Sequence, residues 1–274
     1  MSNFKHGDNI ECKLRNEKDP QNKSLLKEIK DRYLKWKESN LLIKGSSRAH
    51  IEEKVRLLNE YKFFIEQSRF KKTRGNKSGF TSQSQLHSSV IEEFMYYLFK
   101  DIKRLSNKKV RWGRVEAYTN LYFDPPNIDE FEKRPNIIIN VKDQDFCISK
   151  EVIIKSRLSN NQDWQEKLIF VPFVAIECKT YLDKTMYEGS VSTAEKIKRG
   201  NPHCLFLIVT EMYNVSLTVD PSYSQIDQIY VLRKDRRANP IDYKVVYDLF
   251  KFVESHINSD WYNIQQRLKS GKMV

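Results

Sequence analysis

The sequence has no apolar run approaching the roughly 20 residues needed to cross a bilayer. Its first residues, MSNFKHGDNIECK, lack the apolar stretch of a signal peptide. Both absences lead to the expectation of a cytoplasmic protein with no membrane partner. Four cysteines, at 12, 147, 178 and 204, stand far apart with no CxxC pair, which argues against a zinc site or a disulfide framework and fits reduced thiols. Cys178 and Cys204 lie inside apolar runs and are expected in the core. No internal repeat occurs at a solenoid-like period, and none of the five histidines forms a metal-like pair.

What the chain does contain excludes disorder: hydrophobic residues are 39% and aromatics 12% of the 274 positions, enough to bury a substantial core. Charged residues at 31% and a mean hydropathy of -0.66 imply a wet surface. Lys and Arg number 48 against 36 Asp and Glu, a net charge of +12, which favours a polyanionic partner such as nucleic acid. Residues 1–85 carry 20 of the basic and 11 of the acidic side chains. The segment RFKKTRGNKSG has five basic residues between Arg69 and Lys77. It reads as a loop that either contacts phosphates or is merely solvated.

Apolar spacing at Leu25, Leu26, Ile29, Tyr33, Leu34 and Trp36 predicts an amphipathic helix from Ser24 to about Leu42. A second helix is expected after Ser46 or Ser47, through Ile51, Val55, Leu58 and Phe63 towards Phe70, completing a helical hairpin near Gly45. SSVIEEFMYYLFKDIKRL offers a third helix, in which Tyr96, Tyr97 and Phe99 are core candidates. There Ser89 with Glu92 has the form of a capping box. Beyond Leu105, RWGRVEAYTNLYF, RPNIIINVK, DFCISKEVIIKS, LIFVPFVAIECK, HCLFLIVTE and DQIYVLRK read as strands. Helices are expected at Lys184 to Arg199 and from Pro240 to about Leu268. A run of strands followed by strand, helix, strand indicates a mixed α/β sheet flanked by helices.

Glu-x-Lys occurs five times, at Glu11, Glu28, Glu52, Glu60 and Glu177, so context must sort the copies. Glu28, Glu52 and Glu60 fall on predicted helices, where charge alternation marks a solvated face. The first IECK, around Glu11, lies in a polar segment with nothing expected to hold it. Glu177 instead ends the strongest strand candidate, FVPFVAIECK, where alternation puts Phe173, Ala175, Glu177 and Lys179 on one face. Two charges at the end of an apolar strand carry a desolvation cost, so they form either an ion pair or a site. A divalent metal bound at Glu177 would need a second hard-oxygen ligand from a neighbouring strand. KDQDFCISK supplies Asp143 and Asp145; Asp145, set against FCI, is preferred, and Asp124 in YFDPPN is a third choice.

An Asp at a strand start, a hairpin, and a buried strand ending in Glu-x-Lys with a helix and strand following resembles the PD-(D/E)xK nucleases, although the leading Pro is missing. DQDFCIS, AIECKTYLD, STAEKIKRGNP and IYVLRKDRR are similar to the heterodimeric type II restriction endonucleases typified by BbvCI, over roughly residues 86–260. The resemblance implies a restriction-endonuclease-like PD-(D/E)xK core at 86–274. A helical, basic region at 1–85 would then serve dimerisation, DNA contact or both. It further implies that Asp145 and Glu177 bind Mg²⁺ with the Cys178 carbonyl as an additional ligand. Lys179 would orient or help deprotonate the attacking water and stabilise charge on the phosphate, while Glu93 joins through water and Glu92 remains a helix cap. The implied partners are double-stranded DNA with a short asymmetric site of the CCTNAGC type, a second, homologous but different subunit, and a companion DNA methyltransferase. Lys196, Lys198, Arg199, Lys234, Arg236 and Arg237 are weaker phosphate-contact candidates, and His203 reads as a loop residue. The alternatives are a structure-specific repair or junction nuclease of the same fold, or a non-catalytic basic DNA-binding protein.

Overall fold

A computed structural model describes residues 3–72, 78–80, 86–159, 163–216, 218–234 and 238–271. The chain opens with helices α1 (Lys5–Asn16), α2 (Pro20–Leu42), α3 (Arg48–Ile65) and α4 (Ser88–Phe99). Asp19 caps α2 through the Gln21 amide and Pro20 occupies its first turn, so this helix starts four residues earlier than its apolar spacing suggested. Ser47 caps α3 as expected, and Gly45 turns the hairpin with a positive φ of 120°. Phe63, counted as inward-facing, is 76% exposed: the buried phase of α3 runs through Ile51, Val55, Leu58, Tyr61 and Ile65.

Then follow β1 (Arg111–Phe123), the single turn α5 (Ile128–Phe131), β2 (Ile137–Ser156), β3 (Gln165–Lys179), α6 (Lys184–Gly200), β4 (Leu205–Thr210) and β5 (Gln228–Val231). Helices α7 (Tyr243–Asn258) and α8 (Ile264–Ser270) form the tail, two helices where one was expected. The two predicted strands on either side of Lys142 are one continuous β2, because β1 pairs with it from Ile137 to Ser149. The sheet order is β1-β2-β3-β4-β5, antiparallel for the first three strands and parallel for the last three.

Alternation sorts the sheet's side chains. Phe146, Ile148, Val174, Ile176, Leu207 and Val209 join α4 and α7 in the larger core. Cys147, Ala175, Phe206 and Ile208 face α6 through Ala194 and Ile197. The larger core also takes Ile10, Leu26, Trp36, Leu58 and Tyr61, so α1, α2 and α3 pack in one apolar interior with the sheet. Burying each such large side chain contributes about 1.5–3 kcal/mol. Cys178, Cys204, Tyr97 and Phe99 are buried as expected, whereas Tyr96 is half-buried. Among the described residues no helix is long and apolar enough to cross a membrane.

Candidate active site

The end of β3 is held on one side only. Its ladder with β4 continues to Lys179↔Thr210, and the Glu211 amide donates to the Lys179 carbonyl at 3.1 Å. Its ladder with β2 ends at Phe146↔Ile176. Beyond that point the Cys178 amide has no strand partner on the β2 side, and the Asp145 side chain replaces one, Oδ2 accepting from Cys178 N at 2.9 Å. Lys179 Nζ donates to the same oxygen at 3.0 Å and to Glu177 Oε2 at 2.6 Å. Gln144 Nε2 donates to Glu177 Oε1 at 3.2 Å. The structure therefore brings together Asp145, Glu177 and Lys179. Asp143, though of the same parity as Asp145, is exposed and accepts from Arg114 at 2.6 Å. Asp124 lies exposed in the turn after β1, its amide donating to the Asn136 carbonyl.

Burial raises the Glu177 pKa, and the Asp145 charge raises it further against the opposing pull of Lys179. Burial also works to lower the Lys179 pKa, but Asp145 and Glu177 overcome it and hold the ammonium above its ordinary range. Lys179 is consequently a fixed cation between two carboxylates.

Helix α4 places its two adjacent glutamates in different surroundings. Glu93 faces the N-terminal helices: Oε2 accepts from the His6 and Gly7 amides at 2.9 and 3.1 Å, and Oε1 from Tyr97 Oη at 2.5 Å. Its carboxylate is spent on α1 and is not directed at Asp145 and Glu177. Glu92, read from sequence as a cap, is the one that senses the site. Burial and the Asp145 charge push its pKa up to about 7, opposed by Lys5, Arg114 and Lys179. The capping box does not form, because α4 begins at Ser88 and the Ser89 hydroxyl faces the His6 ring at 3.0 Å. Glu92 Oε2 is enclosed with no hydrogen-bond partner among the described residues. A buried, unpartnered carboxylate oxygen that also feels the Asp145 charge carries a desolvation penalty that an added cation would relieve.

The first IECK is also better held than expected. It lies on α1, with Ile10 buried and Glu11 bridged to Lys30 at 2.7 Å, well away from any strand. Of the candidate phosphate contacts, Lys198 pairs with Asp227 at 2.7 Å and Lys234 with Asp242 at 2.5 Å. Arg69 forks onto Glu28 at 2.6 and 2.7 Å. Arg236, Arg237 and positions 73–77 of the basic loop lie outside the described residues. His203 is exposed beside Tyr262, as a loop residue.

No three His, Cys, Asp or Glu side chains among the described residues form a ready-made metal cage. The donor set of Asp145 and Glu177 nevertheless suits a hard divalent cation that keeps several waters. In a strand the N–H and C=O of one residue project the same way, so the Cys178 carbonyl opens on the edge where its amide meets Asp145. The enclosed Glu92 carboxyl, whose pKa burial and the Asp145 charge raise to about 7, has an unpartnered oxygen to offer. The residues present thus fit a divalent metal.

Comparison with solved structures finds the native BbvCI A2B2 tetramer at low resolution, one chain of which superposes with a TM-score of 0.70 at 22% identity, covering 94% of this chain and 97% of that one. This likeness establishes the α/β restriction-endonuclease-like fold. Comparison with curated protein sequences gives no match. The model of the Bpu10I restriction endonuclease family matches residues 83–251, more than half of the chain and the span that contains Asp145, Glu177 and Lys179. The chain belongs to the Bpu10I restriction endonuclease family and is, by that membership, a type II site-specific deoxyribonuclease.

Proposed function

We propose that this chain is one subunit of a Mg²⁺-dependent restriction endonuclease and that its own active site, Asp145, Glu177 and Lys179, cuts one strand of a short asymmetric DNA site of the CCTNAGC type. The observation that carries the reading is the convergence of these three side chains where β3 outruns β2. A second, different subunit cuts the other strand; the BbvCI structure is an A2B2 assembly. The N-terminal region, residues 1–85, contributes to subunit or DNA contact, and the nuclease unit is residues 86–274. The enzyme acts in the cytoplasm, where a companion methyltransferase protects host DNA.

Asp145, Glu177 and the Cys178 carbonyl would hold the metal, with Glu92 reaching it through water in the place first assigned to Glu93. When bound, Mg²⁺ supplies Lewis-acid polarisation of the phosphate and acidifies a bound water. Lys179, kept protonated by its two neighbours, stabilises negative charge developing on the phosphate and orients the attacking water; as a charged group it is no general base. In-line attack breaks the P–O5' bond when it leaves a 5'-hydroxyl end and the P–O3' bond when it leaves a 3'-hydroxyl end. We assign the second, giving 5'-phosphate and 3'-hydroxyl ends on hydrolysis.

The test is digestion of a known plasmid by the chain with and without its co-expressed neighbouring subunit, followed by sequencing of the ends. Asp145→Ala, Glu177→Ala and Lys179→Ala should each abolish cutting of this subunit's strand, by a factor of about 10² or more, while binding DNA in Ca²⁺. Unchanged cutting by these variants would remove the site from consideration.

A further inference from the structure

Gln144, the residue before Asp145 on β2, is 1% exposed. In an unbroken strand consecutive side chains leave opposite faces, yet Gln144 and Asp145 both reach the end of β3. The register of β1 on β2 accounts for this. Val115 pairs with Gln144 and Gly113 with Cys147, so Arg114 alone faces two residues, Asp145 and Phe146. A bulge of this kind re-aims the side chains around it.

Only one orientation of the Gln144 amide fits its surroundings. Nε2 donates to the Asp143 carbonyl at 2.9 Å and to Glu177 Oε1 at 3.2 Å; turned over, the amide would set its oxygen against both acceptors. Gln144 Oε1 is then enclosed with no hydrogen-bond partner among the described residues, which carries a desolvation penalty. A buried amide that leaves one of its own atoms unsatisfied is a poor device for stability alone.

Its effect falls on Glu177. The last torsion of a Glu side chain is broad, so a carboxylate held by a single donor can pivot. Lys179 holds Oε2 at 2.6 Å and Gln144 holds Oε1, and donors on both oxygens fix the plane. Each oxygen keeps lone-pair capacity for a further partner. Because Gln144 is neutral, it does this without adding a charge that would repel a cation.

We propose that Gln144 is a positioning residue that orients Glu177 towards a divalent cation by donating to its Oε1. The inference rests on the assignment of Asp145, Glu177 and Lys179 as the nuclease site, and it makes the bulge in β2 part of that site's construction.

The experiment uses Gln144→Met, which keeps the side chain's length and removes the donor. Gln144→Asn, which keeps the donor but withdraws it by one methylene, serves where the first fails to fold. Cutting of each strand of a plasmid containing the site is followed in the assembled two-subunit enzyme across a Mg²⁺ series, the other subunit's strand being the internal control. Loss of a residue that orients a metal ligand costs about 10–100-fold in metal affinity. Either variant should therefore raise the half-saturating Mg²⁺ for this subunit's strand by about that factor and leave the other strand's unchanged. Calorimetric titration of the folded full chain with Mn²⁺ should show the same loss of affinity. Wild-type Mg²⁺ or Mn²⁺ dependence overturns the inference, and so does an equal shift for both strands, which a general loss of folding or DNA binding would give. Glu177→Ala is run in parallel: if it cuts and binds Mn²⁺ as the wild type does, the nuclease site itself is misassigned; if it loses both and Gln144→Met keeps both, only the Gln144 inference fails.

Discussion

Replacing Glu211 by alanine removes the shared partner of two buried cations. Glu211 is 3% exposed; Oε1 accepts from Lys62 Nζ at 2.5 Å and Oε2 from Arg233 Nε at 2.7 Å. Breaking a buried ion pair by deleting one member costs about 3–5 kcal/mol, because the remaining charge is left uncompensated. Two cations are stranded here, but Arg233 keeps Glu66 at 2.7 Å and the Asn239 carbonyl at 2.9 Å, and Lys62 keeps Glu66 at 3.2 Å. The loss should therefore stay near about 3–5 kcal/mol and not double. With an m-value of about 2–3 kcal/mol per M, the urea midpoint should fall by about 1–2.5 M at neutral pH. Glu166→Ala, which breaks the exposed pair with Lys155, is the control and should cost no more than about 1 kcal/mol. Burial works to raise the Glu211 pKa, yet Lys62 and Arg233 together hold it below its ordinary value. Its stabilisation is consequently present above the ordinary carboxylate range and lost as pH falls through the folded value, so the two proteins should converge in acid. A midpoint shift equivalent to less than about 1 kcal/mol at neutral pH would refute the reasoning, since it would mean that the stranded cations recover full solvation.

Gly200→Ala should destabilise by about 1–3 kcal/mol, read as a lower melting temperature, because its Cβ would lie 2.7 Å from the Thr119 carbonyl oxygen and 2.8 Å from that of Tyr118. Burial lowers the His6 pKa to about 3 and raises that of Glu93 to about 7. Relative to the unfolded chain the folded protein therefore lacks a proton on His6 between about pH 3 and 6.5, and carries an extra one on Glu93 between about 4.5 and 7. The two contributions oppose each other where they overlap, so the pair should leave stability nearly level there. Below the overlap, stability should drop as His6 is forced to protonate. Urea midpoints of His6→Gln against pH should lack that acid-side drop and instead decline as pH rises through the Glu93 window. An unaltered profile would contradict this assignment.

The parts of the fold legible in the sequence are those whose burial is decided locally. The bounds of β1 could be read because its period is regular, and the end of β3 because FVPFVAIECK is apolar until its charged end, although the strand starts at Gln165, three residues before the predicted Leu168. That same pattern made Glu177 and Lys179 visible, and the run FCI identified Asp145. Helix α1 was missed because its anchorage lies in His6 and Gly7, whose burial depends on Glu93, Ser89, Tyr61 and Tyr33 from three other helices. The continuity of β2 was obscured by the polar Lys142–Asp143–Gln144, which a sheet tolerates because β1 pairs with it there. One available signal was overlooked: residues 137–156 contain neither Gly nor Pro, the usual marks of a strand break.

The different surroundings of Glu92 and Glu93 show where sequence reasoning ends. Successive residues of a helix point about 100° apart, and α4 is apolar around most of its circumference, so its composition marks it as a core helix without fixing its rotation. Rotation is set by what packs on each side, α1 on one flank and the sheet end on the other. The same packing orders the charges at the site. Acids, Glu92, Asp145 and Glu177, lie inside, while Lys5, Arg114 and Lys142 act on them from outside. A polyanion drawn to a +12 protein meets cations first and carboxylates last. On the proposed assignment, attraction of DNA and hydrolysis of its backbone depend on different side chains, so removing the carboxylates should leave in place the charges that bring DNA to them.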